Sequence, residues 1–350
     1  MVPVILPWQA SRWGQIVSRL DSLPHALLLT GPAGQGKRQF AEALAALLLC
    51  ESPDPGPLPC GRCTGCQWRL AENHPDLQRV VPEADEEGDD EGEGGEPAKG
   101  KSAQILIAQI RALQEAFTIT SHRGGRRVVI VDPAEAMNVY TANALLKLLE
   151  EPPAGAVFLL ISAQPLRLLP TLRSRCQRWD FPLPGAEVVL PWLTREHPDT
   201  PPALLALAGG APLAAAQWAR RGGEGLRTRF ARDLAGLTVA ETLRLAGQWE
   251  AWVKSKEALA AGLDMATLIG WFQRWVTDLV SLRLGGRVRF FPDQEGVLAA
   301  LAVPMSEASA AACYNDALAL RRVAQHPLNP RLLLEDMLLR YVRALQGGAP

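Results

Sequence analysis

The sequence predicts an α/β domain with a parallel sheet flanked by helices, followed by helical domains. Three observations carry this. A glycine-rich loop, Gly31 to Lys37, lies between the apolar run Leu27-Leu28-Leu29 and the segment Arg38 to Leu49, which sets Phe40, Leu44 and Leu47 or Leu48 on one helical face. A second apolar run, Arg127 to Val131, ends in Asp132. At the far end Asn329 suits a helix cap and Pro330 a first turn, and Leu334, Met337, Leu338, Tyr341 and Leu345 share one face of a long helix.

The loop reads Gly-Pro-Ala-Gly-Gln-Gly-Lys. Glycines such as Gly31, Gly34 and Gly36 let backbone N–H groups approach phosphate oxygens, and Lys37 supplies charge for the terminal phosphates. The strand, loop and helix order puts that site at a helix N-terminus. The next position calls for a Ser or Thr hydroxyl to hold magnesium, and here it is Arg38. A glycine-rich turn that binds nothing is the plainer alternative. Gly36 and Lys37 leave ADP or ATP binding open, while loss of the hydroxyl puts it in doubt.

At 350 residues, about two or three domains are expected. No apolar run approaches the length of a membrane span, and Met1 to Gln9 has no export-signal pattern, so a cytoplasmic protein is expected. The stretch 83–101 carries nine acids and two lysines; removing its −7 from the chain's −1 leaves +6 elsewhere. With almost no apolar residue it is expected to be a disordered acidic insertion, or less simply an acidic docking segment. The moderate positive remainder is compatible with nucleic acid nearby without requiring it.

Cys50, Cys60, Cys63 and Cys66 follow a C-x9-C-x2-C-x2-C spacing. Tight C-x2-C pairs bring thiolates to one tetrahedral ion, and a disulfide framework does not suit a reducing cytosol. Gly61 and Gly65 permit the turns. A structural zinc held by all four thiolates is expected, with His74 in place of Cys50 or a redox dithiol as alternatives. Four sulfurs leave no open position for catalysis, so the metal staples a loop. Cys176 and Cys313 are expected to pack in cores.

Asp132 is a Walker B acid, which supports magnesium in P-loop ATPases. Pro133 follows it, with neither a carboxylate nor an N–H to orient water. Glu135, two residues on, has no sequence reason to face the same way. Asn138 suits an N-cap before a helix carrying Leu145, Leu148 and Leu149 and ending at Glu150-Glu151-Pro152-Pro153. Val157 to Ile161 and Gln177 to Phe181 read as strands, with Leu172-Arg173-Ser174-Arg175-Cys176 between them. Two arginines around a serine form either a plain basic surface or an arginine finger offered to a neighbour's nucleotide.

With these residues in view, the chain resembles the AAA+ clamp-loader family of bacterial DNA polymerase III over nearly its whole length. The residues that carry the resemblance are the four-cysteine module after the P-loop helix, the run Asn143-Ala144-Leu145-Leu146-Lys147-Leu148-Leu149-Glu150-Glu151-Pro152-Pro153, and Ser174-Arg175-Cys176. The family's motor subunits, gamma and tau, keep a hydroxyl, a Walker B Glu and a lid arginine where this chain has Arg38, Pro133 and, in Gly209-Gly210-Ala211-Pro212-Leu213, Leu213. The resemblance therefore implies a non-hydrolysing subunit with no intrinsic ATPase, a component of the polymerase III holoenzyme. It implies a hetero-pentamer with gamma or tau and subunit delta, reaching the sliding clamp and primed DNA through the complex. It also implies that Ser174-Arg175 is kept so that Arg175 acts in trans on ATP bound by the adjacent motor subunit.

The implied domains are an AAA+ P-loop domain over 1–181 with the zinc module at 50–66, a small helical lid over 182–222, and an all-α collar domain over 223–350. Trp249, Trp252, Trp271 and Trp275 fall at helical spacing and are expected in the core before any interface. Two other functions compete: an active ATPase or kinase with an unusual magnesium shell, and a zinc-dependent DNA-binding module. The second has only Arg62 and Arg69 beside its cysteines and no evident recognition helix.

Overall fold

The computed structural model describes residues 4–52, 56–85, 102–118, 125–323 and 329–347. The chain forms two compact units, Met1–Val188 and Val189–Pro350.

The first unit runs α1 (Ala10–Val17), β1 (Ala26–Thr30), α2 (Lys37–Leu48), α3 (Thr64–Leu70), β2 (Leu77–Val80), α4 (Ile107–Thr118), β3 (Arg127–Val131), α5 (Val139–Glu150), β4 (Ala156–Ser162), α6 (Pro170–Arg175) and β5 (Gln177–Asp180). The strands form one parallel sheet in the order β2-β3-β4-β1-β5. Because helices cover both faces, the central strands are buried at every position and mostly apolar rather than alternating. Leu27, Leu29, Val128, Ile130, Leu159 and Ile161 face Phe40 and Leu44 of α2. On the opposite face Leu28, Val129, Val131, Phe158 and Leu160 pack with Ile110 of α4 and Leu145 and Leu149 of α5. This is the P-loop AAA+ architecture the sequence predicts.

Local chemistry sets the element ends. Asn138 caps α5 by accepting the Thr141 N–H at 2.9 Å. One difference from expectation is small: α2 begins at Lys37 rather than Arg38. Of the acidic insertion 83–101, Glu83–Asp85 form one 3-10 turn, and 86–101 lie outside the described residues. The Ala84 N–H donates to Ser102 O at 3.2 Å, so the two ends of the insertion meet.

The second unit is helical. It comprises most of α7 (Ala186–Glu196), then α8 (Pro202–Leu207), α9 (Pro212–Arg220), α10 (Gly223–Ala235), α11 (Thr242–Val253), α12 (Lys256–Ala261), α13 (Met265–Arg283), α14 (Glu295–Ala302), α15 (Glu307–Val323) and α16 (Pro330–Leu345). Its core is continuous from Leu204 to Leu345. Trp249, Trp252, Trp271 and Trp275 are all buried in it, and Phe230 stacks on Trp249 with ring centroids 5.4 Å apart. Asn329 caps α16, and Leu334, Met337, Leu338, Tyr341 and Leu345 form its buried face. Asp278 is wholly buried and accepts three backbone N–H bonds, from Arg289, Phe290 and Phe291, each at 2.8 Å. One carboxylate thereby fixes the loop after α13. Among the described residues no helix is long and apolar enough to cross a membrane.

Candidate functional site

The phosphate-loop glycines have the backbone the motif requires: φ is positive at Gly31, Gly34 and Gly36. Gly31 has a second reason to be glycine, since a Cβ there would collide with the Phe181 carbonyl oxygen just past β5. Polar contacts from within the chain close the loop. Gln9 Nε2 donates to Gln35 O (3.1 Å) and Gly36 O (2.8 Å), and Trp8 Nε1 donates to Gln35 O (2.9 Å). The wholly buried Gln35 side chain donates its amide nitrogen to Phe181 O (2.7 Å) and Pro182 O (2.8 Å). Nothing in the Gln9 or Trp8 sequence context points to this role, because both act across more than twenty residues.

Lys37 is turned onto the loop itself. Its Nζ donates to Gly31 O at 2.7 Å and to Pro32 O at 2.8 Å. Burial lowers its pKa, and the negative charges of Asp132 and Glu135 oppose that shift. Glu135 therefore differs from the sequence expectation: it lies near enough to act on Lys37, and its Oε1 accepts the Ala163 N–H at 2.9 Å. The short 3-10 turn Ala134–Ala136 after Pro133 carries it back beside β4.

Arg38 completes the arrangement. Its Nε lies 2.5 Å from Asp132 Oδ2, so the Walker B acid already has a cation. A P-loop ATPase would use a hydroxyl and this acid to hold magnesium between them. Here a guanidinium, fixed in charge and without acceptor capacity, stands in the hydroxyl's place and pairs with the acid. Leu213, at the position compared with a lid arginine, sits in the first turn of α9 and is half-buried.

Arg175 ends α6, far from Arg38 in sequence, and lies at the surface. Its Nη1 donates to Thr171 O at 3.0 Å and its Nη2 lies 2.5 Å from Glu150 Oε1. Ser174 Oγ also donates to Thr171 O, at 2.9 Å. Cys176, next in the chain, is buried, and burial pushes its thiol up to about 12. It is a core residue, as is Cys313, whose thiol burial likewise raises to about 12.

The four cysteines converge. All four sulfurs lie within 4.8 Å of one another, and Cys50 Sγ and Cys63 Sγ are 4.0 Å apart. A tetrahedral ion with metal–sulfur bonds of about 2.3 Å separates its sulfurs by about 3.8 Å, so the set fits a metal ion. Backbone N–H groups point at the sulfurs: Cys60 N–H to Cys50 (3.3 Å), Cys63 N–H to Cys60 (3.3 Å) and Cys66 N–H to Cys63 (3.4 Å). The Arg62 and Cys63 N–H groups hold the Cys60 thiol down to about 6, whereas burial pushes Cys66 up to about 12. His74 stands outside the ligand cluster; its Nδ1 accepts the Asp76 N–H at 3.1 Å. The module also grips the N-terminal helix, since Trp13 Nε1 donates to Pro57 O at 2.8 Å. Its helix α3 has seven residues, begins at the Cys63 cap and carries Cys66.

Residues 10–184 match the family described as "DNA polymerase III, delta subunit", and residues 237–343 match its C-terminal counterpart. DNA polymerase III subunit delta' of Pseudomonas aeruginosa is 40% identical over 299 residues, covering 84% of this chain and 80% of its own. The chain belongs to the DNA polymerase III subunit delta' family. The delta' subunit of Escherichia coli K12 is 32% identical over 329 residues, 93% of this chain and 90% of its own length. Among solved structures, a DNA polymerase III gamma-subunit-related protein of Thermotoga maritima aligns with 95% of this chain and 99% of its own, at 19% identity and a TM-score of 0.46.

Proposed function

We propose that the chain is a non-hydrolysing subunit of the DNA polymerase III clamp-loader complex. It gives structure to a cytoplasmic hetero-pentamer with motor subunits gamma or tau and subunit delta, which places the sliding clamp on primed DNA. Its own chemical contribution is Arg175, presented in trans to ATP held by the adjacent motor subunit, with Ser174 shaping the same turn. The observation that carries this reading is the Arg38–Asp132 pair, because it sets a permanent positive charge against the acid that would share magnesium. Half-exposed pairs contribute only about 0.2–1 kcal/mol to stability, so the consequence lies in occupancy rather than folding.

In this reading Gly31, Gly34, Gly36, Lys37, Arg38 and Asp132 form a degenerate nucleotide site that serves as architecture. Zinc at Cys50, Cys60, Cys63 and Cys66 is structural. Its role is to fasten the loop after α2 and, through the Trp13–Pro57 contact, the N-terminal helix. The rest of the chain is proposed to divide into a lid, 182–222, and a collar, 223–350. Glu135 near Lys37 favours the rival reading of a working ATPase. Turnover measured on the purified chain with magnesium separates the two: none above background supports the scaffold, and turnover abolished by Lys37→Met supports the ATPase.

A further inference from the structure

Arg175 is held at two points by two different helices. Thr171 O, one turn back in α6, accepts from Nη1 at 3.0 Å, and Glu150 Oε1, at the last residue of α5, meets Nη2 at 2.5 Å. Thr171 O is shared, since it also accepts from Ser174 Oγ at 2.9 Å. The side chains of Arg175 and Glu150 remain 36% and 48% exposed, so the pair is open to another chain. A guanidinium has five N–H donors in one plane. Two are engaged here, and three are left to meet an incoming anion. A long arginine free at a surface samples many rotamers, and an electrophile that must meet developing phosphate charge works best when that freedom is already lost.

We propose that Glu150 is a positioning residue for Arg175. It fixes the guanidinium plane against α6 and leaves the outward N–H groups in place for the neighbour's phosphates. This rests on the reading of Arg175 as a residue acting in trans. Among the described residues the carboxylate's ion pair is with Arg175, so its loss should slow hydrolysis without weakening nucleotide binding to the motor subunit. Glu150→Gln keeps an acceptor oxygen at the same reach, so geometry is partly preserved while charge is removed.

The test is hydrolysis by the reconstituted loader on primed DNA, with substitutions in this chain only. Arg175→Ala is expected to lower the rate of the phase that depends on this chain. Glu150→Ala is expected to slow the same phase by about 10-fold, with KM for ATP unchanged, since misplacing a group by about an ångström costs factors of this order or more. Glu150→Gln is expected to recover most of the rate. In an Arg175→Ala background, Glu150→Ala is expected to have no further effect. Melting curves and complex assembly check that the variants fold. A Glu150→Ala loader as fast as or faster than the parent, while Arg175→Ala is slow, overturns the positioning role and leaves the trans role of Arg175 standing. A Glu150→Ala effect that persists without Arg175 also overturns it. An Arg175→Ala loader of full rate removes both.

Discussion

Arg38 Nε and Asp132 Oδ2, 94 residues apart in sequence, meet at 2.5 Å at the head of the parallel sheet. The residue that replaces the magnesium hydroxyl is thus also the counter-ion of the acid that would share the metal. Arg38→Thr removes the guanidinium and supplies the missing hydroxyl. We expect the parent chain to show no magnesium-dependent gain in ADP or ATP binding and the variant to acquire one, measured by calorimetry with and without magnesium. Turnover should stay at background, because Pro133 still follows Asp132. Stability should change by no more than about 1 kcal/mol.

Lys37 should matter for the fold. Its Nζ donates to Gly31 O and Pro32 O, and removing a donor from part-buried carbonyls costs about 1–3 kcal/mol. Lys37→Met is expected to lower the unfolding free energy by that amount, measured by denaturant unfolding. The lowered pKa also gives a sign. Between the depressed folded value and the ordinary 10.5 the unfolded chain holds the extra proton, so this residue's contribution to stability rises with pH in that window. The rise should be missing from Lys37→Met when both proteins are unfolded by denaturant across that range.

The strands of the sheet were legible because each central one is an uninterrupted apolar run, as in Leu27–Leu29 and Val157–Ile161. The caps Asn138 and Asn329 were legible from their own side chains, and the cysteines from their spacing. Strand β2 was not, since Leu77-Gln78-Arg79-Val80 lies at the sheet edge and buries only its two ends. The ion pairs Arg38–Asp132 and Arg175–Glu150 were not either. Each depends on which elements become neighbours in space, which no local pattern of residues records. Glu135 was misread for a related reason: the turn after Pro133 bends its carboxylate back toward Lys37.

Cys63→Ser should lose the metal and loosen the N-terminal segment. Cys63 Sγ accepts N–H bonds from both Glu51 and Cys66, so it joins the two sides of the module. We expect metal analysis to give about one zinc per parent chain and less in the variant. Chelation of the parent should reproduce the variant's lowered melting temperature. A variant that keeps its zinc and its melting temperature would place the metal elsewhere.

Asp278→Ala tests the second unit. Three backbone N–H groups would lose their only carboxylate in the core, and on the order of 3 kcal/mol of stability should go with it. Asp278→Asn should be intermediate, since one amide oxygen remains as acceptor. Denaturant unfolding of the three proteins ranks them.

The most direct measurement of the central claim is DNA-stimulated ATP hydrolysis by the reconstituted loader with Arg175→Ala in this chain alone. Arg175 is exposed, and its side chain bonds Thr171 and Glu150 at the surface, so the variant should fold and assemble. A clear fall in hydrolysis with assembly intact is the predicted result. Hydrolysis equal to the parent complex would contradict the account.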